Sequence, residues 1–147
     1  MYLYRKTSIH NYEDYKFTIN VSLNGQPVNI SPDKISEITE DIGYWRKANA
    51  IHKWFVDNVQ SGKDDCNSYY VSKEKLQQLL HDCEDVLEDH SKADSLLPVS
   101  KGFFFGSYEY DDWYFDSLHH TIKICQEALR LMEGNLKYSS FYYQSSW

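Results

Sequence analysis

The chain has 147 residues with 22 acids against 15 bases, a formal net charge of -7, and mean hydropathy of -0.65. That length sets the expectation of one domain, and the acidic balance argues against binding a nucleic-acid backbone, which needs Lys and Arg to neutralise phosphates. Thirteen Tyr, seven Phe and four Trp argue against disorder despite the polar average, because disordered chains are poor in large rings.

In chain order, Tyr2 to Arg5 is the first strand candidate. Tyr15 to Leu23 is the second, because Tyr15, Phe17, Ile19, Val21 and Leu23 alternate with polar residues. Asn24-Gly25 signals a tight turn, with Val28 to Ile30 as the returning strand and Pro27 confining it to an edge. Ser31-Pro32 carries the N-cap and first-position residues of a helix start.

The run from Glu37 to Gln60 reads as a central helix over about 36–61. Ile38, Ile42, Trp45, Val56 and Val59 share one stripe, and Tyr44, Ala48, Ile51 and Phe55 share the next. Apolar residues on several sides imply a helix surrounded by protein. Gly62 is its expected C-terminal cap, and 63–68 a loop. Ser72 caps a second helix, 72–90, with Val71 and Leu76 placed for a hydrophobic staple. Its acids, Asp82 to Asp89, read as a solvated face. Leu96-Leu97-Pro98 stops any helix. The last helix, 111–133, carries the stripe Leu118, Ile122, Cys125, Leu129 and Met132, with Asp111 or Asp112 as cap and Gly134 at its end. The aromatic tail from Leu136 to Trp147 reads as a final strand against the N-terminal ones. These elements predict a single α+β domain over 1–147. Three main helices pack on a small, mostly antiparallel sheet built from both chain ends, with Gly102 to Phe105 as a further strand candidate.

Two stretches invite a chemical reading. On a helix turning about 100° per residue, Trp45, Asn49 and His52 nearly superimpose, flanked by Arg46 and Lys53. An indole, an amide, an imidazole and two cations suit a planar, anionic ligand; the competing reading is a polar network tying the helix to the core. Gly102-Phe-Phe-Phe-Gly-Ser107 precedes a helix start, where backbone N–H groups attract anions, but it lacks every P-loop feature. A strand buried on both faces is the competing reading there. The histidines and cysteines show no metal-ligand spacing, and Cys66 lies among acids that disfavour its thiolate. No enzyme signature, metal site or cofactor motif is present. Three widely spaced cysteines and an opening without a secretory pattern imply free thiols in a cytoplasmic setting. No apolar run approaches the ~20 residues of a membrane span.

Met1-Tyr-Leu-Tyr4, Gly43-Tyr-Trp-Arg-Lys-Ala-Asn-Ala-Ile-His-Lys-Trp-Phe55, Asp65-Cys66, Tyr70-Val-Ser72, Leu96-Leu-Pro98, Gly102-Phe-Phe-Phe-Gly-Ser107 with Tyr110-Asp111, and Tyr143-Gln-Ser-Ser-Trp147 together resemble a family of small proteins encoded by bacteriophages and prophages. The resemblance covers essentially the whole chain. It implies an accessory protein of the infected host cell, and no fold, activity or catalytic residue. Two functions suit such a protein. One is binding a nucleotide-like molecule, sequestering a host immune signal in an anti-defence role. The other is an acidic inhibitor that docks on a host nuclease or CRISPR effector and imitates nucleic acid. Direct DNA binding and membrane association are not expected, and a homo-oligomer is compatible with these residues. The expected ligand site joins Trp45, Arg46, Asn49, His52 and Lys53 to Phe104, Ser107, Tyr110 and Asp111.

Overall fold

The computed structural model describes residues 1–9, 17–100, 108–134 and 136–146. A four-stranded antiparallel sheet has the order β4-β1-β6-β5, where β1 is Tyr2–Ser8, β4 Glu37–Tyr44, β5 Tyr69–Val71 and β6 Ser139–Gln144. A separate two-stranded ribbon pairs β2, Ser22–Leu23, with β3, Gln26–Pro27. The helices are α1 Asn49–Asn58, α2 Lys73–Glu88, the single turn α3 Ala93–Leu96, and α4 Asp112–Met132. The class is α+β, and the sheet joins both chain ends, because β6 pairs with β1 from Tyr2↔Gln144 to Thr7↔Ser139.

The central segment departs from the sequence expectation. The single helix over 36–61 is instead strand β4, a connection, and the shorter helix α1. Exposure alternates with period two from Glu37 to Ile42, and the Ile and Thr residues suit a pleated surface. Pairing with β1 satisfies this alternation, and the left-handed backbone at Lys47 (φ 56°) separates strand from helix. The start signal at Ser31-Pro32 yields one 3₁₀ turn, Pro32–Lys34. Of the expected strand from Tyr15 to Leu23, only Ser22–Leu23 is a strand among the described residues, and its partner is Gln26–Pro27 rather than 28–30. Asn24 and Gly25 both take positive φ, 51° and 75°, as a two-residue hairpin turn of this hand requires. Tyr69 to Val71, read as a lead into α2, is a strand. The strand candidate Gly102 to Phe105 lies outside the described residues.

Helix ends follow local chemistry. Ser72 Oγ accepts the Lys75 N–H, and Asp111 accepts the Tyr114 N–H. At the end of α1 the Gly62 N–H reaches back to the Val56 carbonyl at 2.8 Å, with Ser61 and Gly62 both left-handed. The core lies between one sheet face and the helices. Leu3, Phe141, Tyr143 and Val71 face inward from the sheet onto Phe55, Leu76, Leu79, Leu118 and Cys125. On α4 the fully buried positions are Leu118, Thr121, Cys125 and Ala128, with Ile124 nearly so, while Ile122 and Leu129 are half-buried. All three cysteines are free thiols. No helix of the described residues is long and apolar enough to cross a membrane.

Candidate functional site

A cleft of about 270 Å³ opens where β4 ends and α4 begins. Tyr44, Trp45, Arg46 and Ala48 line one side; Trp113, Asp116, Ser117 and His120 line the other. Three steps in the sequence build it. Gly43 carries no side chain, and a Cβ there would overlap Ile124, so α4 approaches β4 closely. The residues at i, i+3, i+4 and i+7 from Trp113 then share the α4 face beside the cleft. The Lys47 turn swings Arg46 clear of the sheet before α1 begins.

The floor is rigid. Trp45 is buried, and its indole N–H donates to Thr121 Oγ1 at 2.9 Å. Thr121 Oγ1 in turn donates to the Ser117 carbonyl at 2.7 Å. The Trp45 backbone exchanges hydrogen bonds with Met1. Behind it, Phe55 meets the indole edge-on at 5.6 Å. The rim is open: Trp113 is 56% and Tyr44 49% exposed. His120 Nε2 lies 2.8 Å from the Tyr44 carbonyl, which only accepts. The ring therefore donates from Nε2. Arg46 is exposed and, among the described residues, joins no ion pair.

The residues expected to form one site divide between several places. Trp45 and Arg46 reach the cleft. Asn49 and Asp111 border an adjoining crevice of about 10 Å³ that shares Ala48, Trp113 and Ser117 with it. Asn49 Oδ1 accepts the Ser100 N–H at 3.4 Å, and Asp111 serves as the α4 cap. His52 faces the interior. Its Nδ1 lies 2.7 Å from the Tyr143 hydroxyl, and its Nε2 lies 3.0 Å from Asp64 Oδ1, an electrostatic contact rather than an aligned hydrogen bond. Burial, then the charge of Asp64, pushes the Tyr143 phenol well above its ordinary range, so it stays protonated. Lys53 pairs with Asp57 at 2.6 Å, one turn along α1. Tyr110 donates to Asp94 at 2.9 Å. Phe104 and Ser107 lie outside the described residues. The stripe Trp45–Asn49–His52 does not form, because Trp45 precedes the helix.

Sequence reasoning missed Tyr44, Trp113, Asp116, Ser117 and His120 as site residues. A signal for the last four was present: an exposed-type tryptophan heads a polar stripe on the one long helix of the C-terminal half. Among the described residues no group of His, Cys, Asp and Glu is placed to hold a metal ion. The chain matches no protein-family model, no curated protein and no solved structure.

Proposed function

We propose that the chain binds a small, planar, anionic molecule of nucleotide type in the cleft between β4 and α4. The observation that carries this reading is the convergence of three aromatic rings and Arg46 on one concavity of an otherwise acidic chain. Rings from Trp113 and Tyr44 offer apolar faces to a base, and such stacking contributes roughly 1–3 kcal/mol per base. Arg46 at the rim meets a phosphate from solvent, and Asp116 accepts from ribose hydroxyls or an exocyclic amine. The volume is just under the ~300 Å³ where drug-sized pockets begin, so the cleft seats one ring and leaves the phosphate outside. The resemblance to phage-encoded proteins makes a nucleotide immune signal of the host the ligand class to test first, with sequestration as the role.

The test is tryptophan fluorescence and calorimetric titration with nucleoside monophosphates, cyclic dinucleotides and the parent nucleosides. Wild type should show saturable quenching. Trp113→Ala should remove binding of all ligands. Arg46→Ala should weaken phosphate-bearing ligands about tenfold or more and leave nucleosides unchanged. Wild-type protein that responds to none of them at millimolar concentration would refute the reading.

A further inference from the structure

The two faces of the sheet differ sharply. Along β1 the odd-numbered residues Leu3, Arg5 and Thr7 are buried against the helices, whereas Tyr2, Tyr4, Lys6 and Ser8 stay partly exposed. Strand register extends this second face across the sheet. Tyr2 sits opposite Tyr44, Tyr4 opposite Tyr142, and Tyr142 opposite Tyr70. Directly paired residues point to the same side, so five tyrosines share one face. Their rings touch: Tyr2 and Tyr4 lie 5.5 Å apart with planes at 10°, Tyr2 and Tyr44 5.0 Å apart, Tyr70 and Tyr142 6.1 Å apart. Tyr70 is 60% exposed. Among the described residues no helix covers this face.

Among the described residues its charges come from Lys6, Glu37 and Asp41. Glu37 and Asp41 pair across from Ser8 and Tyr4, and both are exposed. Lys6 Nζ is held 3.6 Å from Glu37 and 5.6 Å from the centre of the Tyr142 ring.

We propose that this tyrosine face is a docking surface for a basic, arginine- or lysine-rich segment of a partner protein. Tyrosine supplies large, stiff contact area at low entropic cost, which is why it is enriched where proteins recognise proteins. Phenol faces attract cations, and Lys6 over Tyr142 is an instance already inside the molecule. Glu37 and Asp41 add acceptors for guanidinium or ammonium groups. A nucleic-acid strand fits poorly, because the face's cation is already engaged by Glu37 and a phosphate would meet Asp41. A second copy fits poorly too, since it would set two net-negative faces of a -7 chain against each other. The acidic field of the whole chain steers a basic partner inward. The face meets the cleft at Tyr44, which borders both, and the proposal rests on the other four tyrosines with Glu37 and Asp41.

The experiment is amide NMR of the isotope-labelled full chain titrated with a blocked, extended peptide carrying arginine at alternate positions. The matching glutamate peptide, oligouridylate and sedimentation of the protein alone complete it. The expected result is saturable shifts confined to β1, β5, β6 and the Glu37–Asp41 half of β4, from the arginine peptide only. Tyr70→Ser and Asp41→Lys, both exposed positions that keep the amide spectrum, should each weaken it about tenfold. Trp113→Ala should leave it unchanged. The proposal is overturned by shifts that map to Trp113, by equal binding of the glutamate peptide or tighter binding of oligouridylate, by self-association through this face, or by no shifts at all.

Discussion

Tyr143 has no exposed surface, its ring stacks on Phe55 at 3.9 Å, and its hydroxyl lies within hydrogen-bond distance of His52 Nδ1. Asp64 beside Nε2 favours the proton there, so Nδ1 accepts from the phenol. Replacing Tyr143 by Phe keeps the ring and orphans Nδ1. We expect a loss of about 1–3 kcal/mol in urea unfolding, with the fold retained; a loss under about 0.3 kcal/mol would show that the hydroxyl carries nothing. The sequence shows that His52, Asn49 and Trp45 are polar-bearing residues in an apolar setting and therefore need partners. It does not show that the partners are Tyr143, Ser100 and Thr121, because these arrive from distant elements. The cleft is a different case: the polar stripe of Trp113, Asp116, Ser117 and His120 is visible in the sequence, but only the approach of Tyr44 to Arg46 turns that stripe into a wall.

At the level of elements, the caps and the turn at Asn24-Gly25 were readable because their chemistry is local. The segment from Glu37 to Tyr44 was not. Ile38, Ile42 and Trp45 satisfy a helical period, while Ile38, Glu40 and Ile42 satisfy a strand period, and nothing local decides between them. The decision is made by β1, whose free edge the segment pairs with, and by α4, which needs a residue without a side chain at Gly43. Gly43→Ala must displace Ile124, and we expect about 1–3 kcal/mol of destabilisation from overpacking, measured by denaturant melts. Ile124→Ala in the same background should recover part of it. The buried stripe of α4 was placed correctly in outline but rotated slightly. Leu118→Ala should therefore cost about 2–5 kcal/mol, and half-buried Leu129→Ala distinctly less. Equal costs would mean that the two positions are packed alike.

Among the described residues, two thiols and two phenols of the interior stay in their neutral forms. Burial pushes the Cys125 thiol up to about 12 and raises Cys83 further, each from an ordinary 9.0. Burial likewise raises the phenols of Tyr114 and Tyr143 above their ordinary 10.0. The sign of the consequence follows from proton counting. Above the ordinary value the unfolded chain has released a proton that the folded chain still holds, so unfolding gains by releasing it and stability falls as pH rises. These groups contribute no pH dependence below about 9, because both states are then protonated. From about pH 9 the two thiols begin to favour unfolding, and from about pH 10 the two phenols join them. Each group adds up to about 1.4 kcal/mol per pH unit within its window, so the thiols alone remove about 3 kcal/mol by pH 10. A domain with the usual 5–15 kcal/mol cannot sustain four such slopes far beyond that point. We expect the urea midpoint to start falling near pH 9, then cooperative alkaline unfolding with a burst of tyrosinate absorbance. Cys125→Ala, whatever its effect at pH 7, should flatten the first part of that slope. A midpoint that holds through pH 11 would mean that water reaches these thiols and phenols, and that the helices do not close over the inner face of the sheet.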